Sequence, residues 1–174
     1  GRALEAEAAY RRALGRDPSS AQTHTALAAL LASRGESAEA QAHLERAASL
    51  NPKDASAACT LGLLHLARGR HESAAAVFGR ALALNPRYDL AQLGLGRAWK
   101  AAGRRPEGER AERTAAARLG AEGVQAFEAT LADWKRGAGP LDMVRTPRRA
   151  IRHFAILDTA LGAVSVPACA SLPA

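Results

Sequence analysis

The sequence predicts an all-α protein, and three observations carry that reading. Alanine is abundant while aromatic residues make up only 4% of the 174-residue chain. That balance suits closely packed helices and leaves a sheet short of large or β-branched side chains. A turn signal also returns at a fixed interval: Asp17-Pro18, Asn51-Pro52 and Asn85-Pro86 stand thirty-four residues apart, and Gly1, Gly35, Gly69 and Gly103 step with the same period. Between these signals large apolar residues recur four apart, as Leu27 and Leu31 do, which puts them on one face of a helix.

Aligned on the prolines, the chain divides into a half unit, 1–20, and three units, 21–54, 55–88 and 89–122. In the first part of each unit one column reads Leu27, Leu61, Leu95, the next Ala28, Gly62, Gly96, and a third Leu31, His65, Trp99. In the second part the columns read Ala6, Ala40, Ala74, Gly108, then Tyr10, Leu44, Phe78, then Ala13, Ala47, Ala81, Ala115. Each unit is therefore expected to be a pair of helices. The glycine after the first helix can take positive φ and cap it, and the Asn-Pro pair ends the second, because proline disfavours a helical conformation in the residue before it. The small column lets the two helices of a unit approach closely, and the alanines at 13, 47 and 81 do the same between units.

This pattern resembles the tetratricopeptide repeat family over residues 1–122. The resemblance implies a right-handed superhelix of antiparallel helix pairs with a concave surface lined by first helices. The third unit departs from it: Glu112 stands where Leu44 and Phe78 stood, and Gly120 replaces the proline. The expected reason is a unit near the array's end, where less of the second helix is covered. In the family register the groove would be lined by Gln22, Thr25, Ala29 and Ser33, then Ser56, Cys59, Thr60 and Leu63, then Leu90, Leu93, Arg97 and Lys100. Such a lining, hydroxylic, then apolar, then basic, fits a peptide or helix with apolar anchors and an acidic end. A known subgroup grips the carboxylate of chaperone tails with lysines and asparagines. Here the corresponding slots hold Thr25, Ala29, Thr60, Leu90 and Gly94, which excludes that clamp.

Past the array, Val124, Phe127, Leu131 and Trp134 form one helical stripe, with Glu128, Asp133 and Lys135 on a wet face. A capping helix over 123–137 is expected to cover the last unit; a dimerisation helix, making a homo-oligomer, is the alternative. GAGP at 137–140 reads as a linker. Thr146-Pro147 then starts a basic amphipathic helix, 147–161, which carries Ile151, Phe154, Leu157 and Leu161 on one side and Arg148, Arg149 and Arg152 around the other. Packing back on the array is favoured for it over resting on an anionic membrane surface.

Charge and chemistry narrow the function. The net charge is +7, shared almost evenly between residues 1–88, with 11 basic against 8 acidic, and 89–174, with 13 against 9. Thr25, Cys59 and Leu93 share one column and Ala29, Leu63 and Arg97 another, so no side chain recurs that could read a nucleic-acid strand, and nucleic-acid binding is not expected. Two cysteines, Cys59 and Cys169, make no disulfide framework, which favours a reducing compartment such as the cytoplasm. No apolar run of membrane-spanning length and no signal-peptide pattern is seen. The histidines, His24, His43, His65, His71 and His153, are scattered, without metal-ligand spacing, and no P-loop, GxGxxG or GxSxG occurs. Neither a metal nor another cofactor is expected, and an enzyme is not. The sequence therefore predicts a non-catalytic scaffold that takes a peptide or helical segment of another protein into its groove. The alternative is the adaptor arm of a larger enzyme or of a secretion or assembly machine.

Overall fold

The computed structural model describes residues 2–136, which form seven helices and, among the described residues, no strand. In chain order these are α1 (Arg2–Arg16), α2 (Ala21–Ser33), α3 (Ser37–Leu50), α4 (Ala55–Ala67), α5 (His71–Leu84), α6 (Asp89–Ala101) and α7 (Arg105–Arg136). The predicted helix over 147–161, with Cys169 and His153, lies outside the described residues.

The repeating turn signals act as sequence reasoning expects. Asp17 and Asn85 each accept, through a side-chain oxygen, the backbone N–H two residues on, at 3.0 and 3.1 Å; this closes an Asx turn around the proline. Ser20 and Asp54 then cap the following helices by accepting from Thr23 N–H and Ser56 N–H. At the far end of each first helix the glycine adopts positive φ, as Gly35 does at 81°. The next N–H then reaches back five residues: Glu36 to Leu31, Arg70 to His65 and Arg104 to Trp99, at 2.9, 2.9 and 2.8 Å. This is the Schellman closure, and it shows why the large first-helix column and the glycine keep a constant separation.

Helices pair within units, α2 with α3, α4 with α5 and α6 with α7, and between them, α1 with α2, α3 with α4 and α5 with α6. The second-helix columns Ala40, Leu44, Ala47 and Ala74, Phe78, Ala81 are completely buried. Phe78 sits between two glycines: a Cβ added to Gly62 would lie 2.8 Å from its ring, and one added to Gly94 only 2.3 Å from it. One bulky ring thus replaces the side chains that two neighbouring helices lack. In the third unit Gly96 and Gly108 bring backbones together, each placing a would-be Cβ under 3 Å from the other's carbonyl oxygen. Helix α1 is the second helix of the half unit. It is held to α2 through buried Glu7, which pairs with Arg34, and its Ala6 and Tyr10 remain half-buried and Ala13 exposed.

First helices also touch one another along the stack, α2 with α4 and α4 with α6, so they form the tighter, inner layer. Helix α7 breaks this order. Its first part, 105–119, is the second helix of the third unit; Gly120, at φ 69° and ψ 176°, then interrupts it, and 121–136 turns away. A helix stands where a capping helix was expected, and it reaches beyond the last unit. Besides α6, α7 contacts α4 and α2, which a helix added simply as the next member of the stack would not reach, just as α6 makes no comparable contact with α2.

Candidate functional site: the inner layer of first helices

Each predicted groove residue can now be placed. Gln22 is exposed; Thr25, Ser33, Ser56, Thr60, Arg97 and Lys100 are half-buried; Ala29, Cys59, Leu63, Leu90 and Leu93 are buried. The five buried residues do not line an open groove, which corrects that part of the expectation. All five belong to the same continuous apolar cluster as Phe127, Leu131 and Trp134. Gly94, assigned above to a groove slot, is likewise buried and faces Phe78.

Tyr88 closes over Cys59, and a further cover is the helix after Gly120, since α7 contacts α4 and α2 as well as α6. Val124, Phe127, Leu131 and Trp134 stand thirty-four residues after Leu90, Leu93, Arg97 and Lys100, so they occupy the very slots that face the groove in other units. In this last element those slots are all apolar. An apolar stripe left facing water would forgo about 1.5–3 kcal/mol for each large side chain, and the helix instead leans over the inner layer, where Phe127, Leu131 and Trp134 become buried. Leu131 and Lys135 come beside Leu66 and His71 of the second unit, around a cleft of about 410 Å³. Glu128 meets Arg97 at 2.5 Å.

The hydroxyls of the inner layer are already committed to their own helices. Thr25 donates to the Ala21 carbonyl at 3.0 Å, Thr60 to that of Ser56 at 2.9 Å and Ser33 to that of Leu30 at 2.6 Å. Cys59 is enclosed, hydrogen-bonded to Tyr88 from the turn before α6, and burial pushes its thiol up to about 12. A thiol so protonated is a packing group rather than a nucleophile. Tyr88, itself buried, is also held well above the ordinary phenol range, chiefly by desolvation.

Charge gathers where α6 meets α7. Lys100 bonds Glu112 at 3.0 Å, and Arg97 stands 3.4 Å from Glu112 on one side and against Glu128 on the other. Glu112 is mostly covered, with 16% of its side chain exposed. It therefore fills the column of Leu44 and Phe78 by ion pairing, and the explanation from an uncovered helix is corrected. Elsewhere His24 and His43 face each other through Nδ1 at 2.8 Å, while His24 Nε2 lies 3.2 Å from the Pro18 carbonyl. That carbonyl only accepts, so with both rings neutral His24 donates from Nε2 and His43 supplies the shared Nδ1 proton. The pair joins α2 to α3. Among the described residues no group of three or more His, Cys, Asp or Glu is placed to hold a metal.

Such an array of hairpins, with apolar slots on its inner layer and a helix seated there, is the architecture of a helical-repeat interaction scaffold. The tetratricopeptide repeat profile matches residues 1–55, 25–89 and 59–123, and the chain belongs to that family, whose repeats mediate protein–protein interaction. A crystal structure of MamA protein superposes with a TM-score of 0.60 at 24% identity, covering 68% of this chain; the chain spans 65% of the length of that one. A crystal structure of MamA superposes with a TM-score of 0.57 at 19% identity over 89% and 86% of the two chains. At these identities the likeness is one of fold. Among curated proteins no sequence matches.

Sequence reasoning located the stripe at 124–134 but not its seat. The available signal was the apolar residues Leu63, Leu90 and Leu93 in slots that ought to meet water: unlike the threonines, they call for a cover.

Proposed function

We propose that the chain is a non-catalytic scaffold whose inner layer of first helices receives a helical segment of a partner protein. The observation that carries this is the layer's own content. Its slots are shaped and charged to hold an amphipathic helix, since residues 121–136 are held there by an apolar stripe and by the Arg97–Glu128 pair. Helix-in-groove recognition uses the same anchors, large apolar residues at three- and four-residue spacing. Arg97 is the cation of the layer that Glu128 of this segment engages, so an acidic residue at the matching place on the partner is favoured.

A photo-crosslinking residue placed at Gln22, exposed on the first helix α2, and separately at Arg80, exposed on α5, tests the reading in cells. A defined protein adduct is expected from Gln22 and not from Arg80. Adducts from Arg80 alone would move the binding surface to the outer layer.

A further inference from the structure

The inner layer holds a ligand that is part of the same chain, and this fixes what an external ligand must look like. We infer that residues 121–136 are a built-in, displaceable occupant of the groove, and that the partner is a helix with the same imprint: a large apolar residue at i, i+4 and i+7 and a carboxylate at i+1. This rests on the reading of the inner layer as the partner site. In the chain the imprint is Phe127, Glu128, Leu131 and Trp134, with the first, third and fourth buried and the second on Arg97.

Three features make the segment an occupant and not a structural member. It joins the array through one non-helical residue, Gly120, whose φ of 69° falls where glycine is at ease; the corresponding joint after α5 is instead closed by the Asx-Pro turn at Asn85. The helix that it ends, α7, contacts α4 and α2 besides α6, and Leu131 and Lys135 of the segment come beside Leu66 of α4. Among the described residues its one ion pair to the inner layer joins side chains that are 33% exposed at Arg97 and 43% at Glu128, with the paired Oε1 itself covered, so it lends orientation more than strength. A tethered helix of this kind competes at a high effective concentration. An equal helix added from outside is therefore excluded until the tethered one is weakened, and the apparent affinity falls by the fraction of chains that are open.

The test uses the full chain and a fluorescein-labelled synthetic peptide of residues 121–136 as probe. The unchanged protein is expected to bind it poorly. Leu131→Asp with Trp134→Ala in the protein, which weakens the tethered helix without touching the layer, should tighten binding at least tenfold. Glu128→Arg alters only a half-exposed residue and should give a smaller gain, which keeps the test decisive if the double variant folds badly. A peptide carrying the same two changes should bind neither. No gain in either variant, with the helical signal retained, overturns the inference, as does light scattering that shows the unchanged chain to be a dimer exchanging this segment. If the probe binds the opened protein while Gln22 crosslinks no partner, the seat stands and the partner reading falls; a partner at Gln22 with no gain on opening has the opposite meaning.

Discussion

Replacing Gly94 with alanine probes the closest approach in the stack. The new methyl would lie 2.3 Å from Cζ of Phe78, well inside the roughly 3.5–4.0 Å of a relaxed carbon contact, so ring or helix must shift by more than about 1 Å. The ring has little room to retreat, because it is fully buried and its other side lies against Gly62. Overpacking of a well-filled site costs about 1–3 kcal/mol, and the upper end is expected, about 3 kcal/mol. The chain supplies its own control. One period earlier the ring's column holds Leu44, and the slots of Gly62 and Gly94 hold Ala28 and Thr60; a shorter side chain is thus partnered by larger ones. Phe78→Leu should therefore relieve the alanine, giving a coupling of about 1–2 kcal/mol in the double-mutant cycle. The assay is urea unfolding followed by circular dichroism, with the m-value held constant. Additive losses would show that ring and glycine do not share one space and would refute the packing described for α4, α5 and α6.

Further expectations follow from single groups. His65 and His43 both titrate below their ordinary value, each first through desolvation, His65 then through Arg70 and His43 through His24. The unfolded chain therefore takes up protons that the folded one refuses, and stability should fall as pH drops below about 6.5; a flat profile from pH 7 to 5 would refute this. His65→Leu, which restores the residue of the preceding unit and removes an unpartnered buried Nδ1, should stabilise by about 1 kcal/mol at pH 7 and reduce that slope. In a Cys169→Ser background, Cys59 with its thiol near 12 should have a thiolate fraction of about one in ten thousand at pH 8 and react with Ellman's reagent only on unfolding; rapid native labelling would contradict its enclosure. Asp54→Ala removes the cap at Ser56 N–H and should cost about 1 kcal/mol, measured by the same urea titration.

The array itself was legible because its determinants are local and periodic. Gly35, Gly69 and Gly103 and the Asx-Pro turns act on neighbouring backbone, and the columns through Leu44 and Phe78 repeat the same contact. The candidate site was less legible because its state depends on one long-range choice. Whether Leu63 and Leu93 meet water or another helix is decided by where the chain goes after Gly120, and no period constrains an element that occurs once. Glu112 misled for a related reason: a carboxylate in an apolar column looks like exposure until its partners, Lys100 one turn beyond Gly96 and Arg97 beside it, are placed.

That substitution gives the stack two kinds of joint. Around Phe78 the joint is oily, and sulfate or other excluded salts would tighten it; around Glu112 it is ionic, and added electrolyte would slacken its outer arm, Arg97 to Glu128, whose side chains are 33% and 43% exposed. One change of solvent thus pulls on the two in opposite senses. The softer joint belongs to the hairpin that carries the strap over the trough, so fraying in brine should begin there and leave the middle of the coil unmoved.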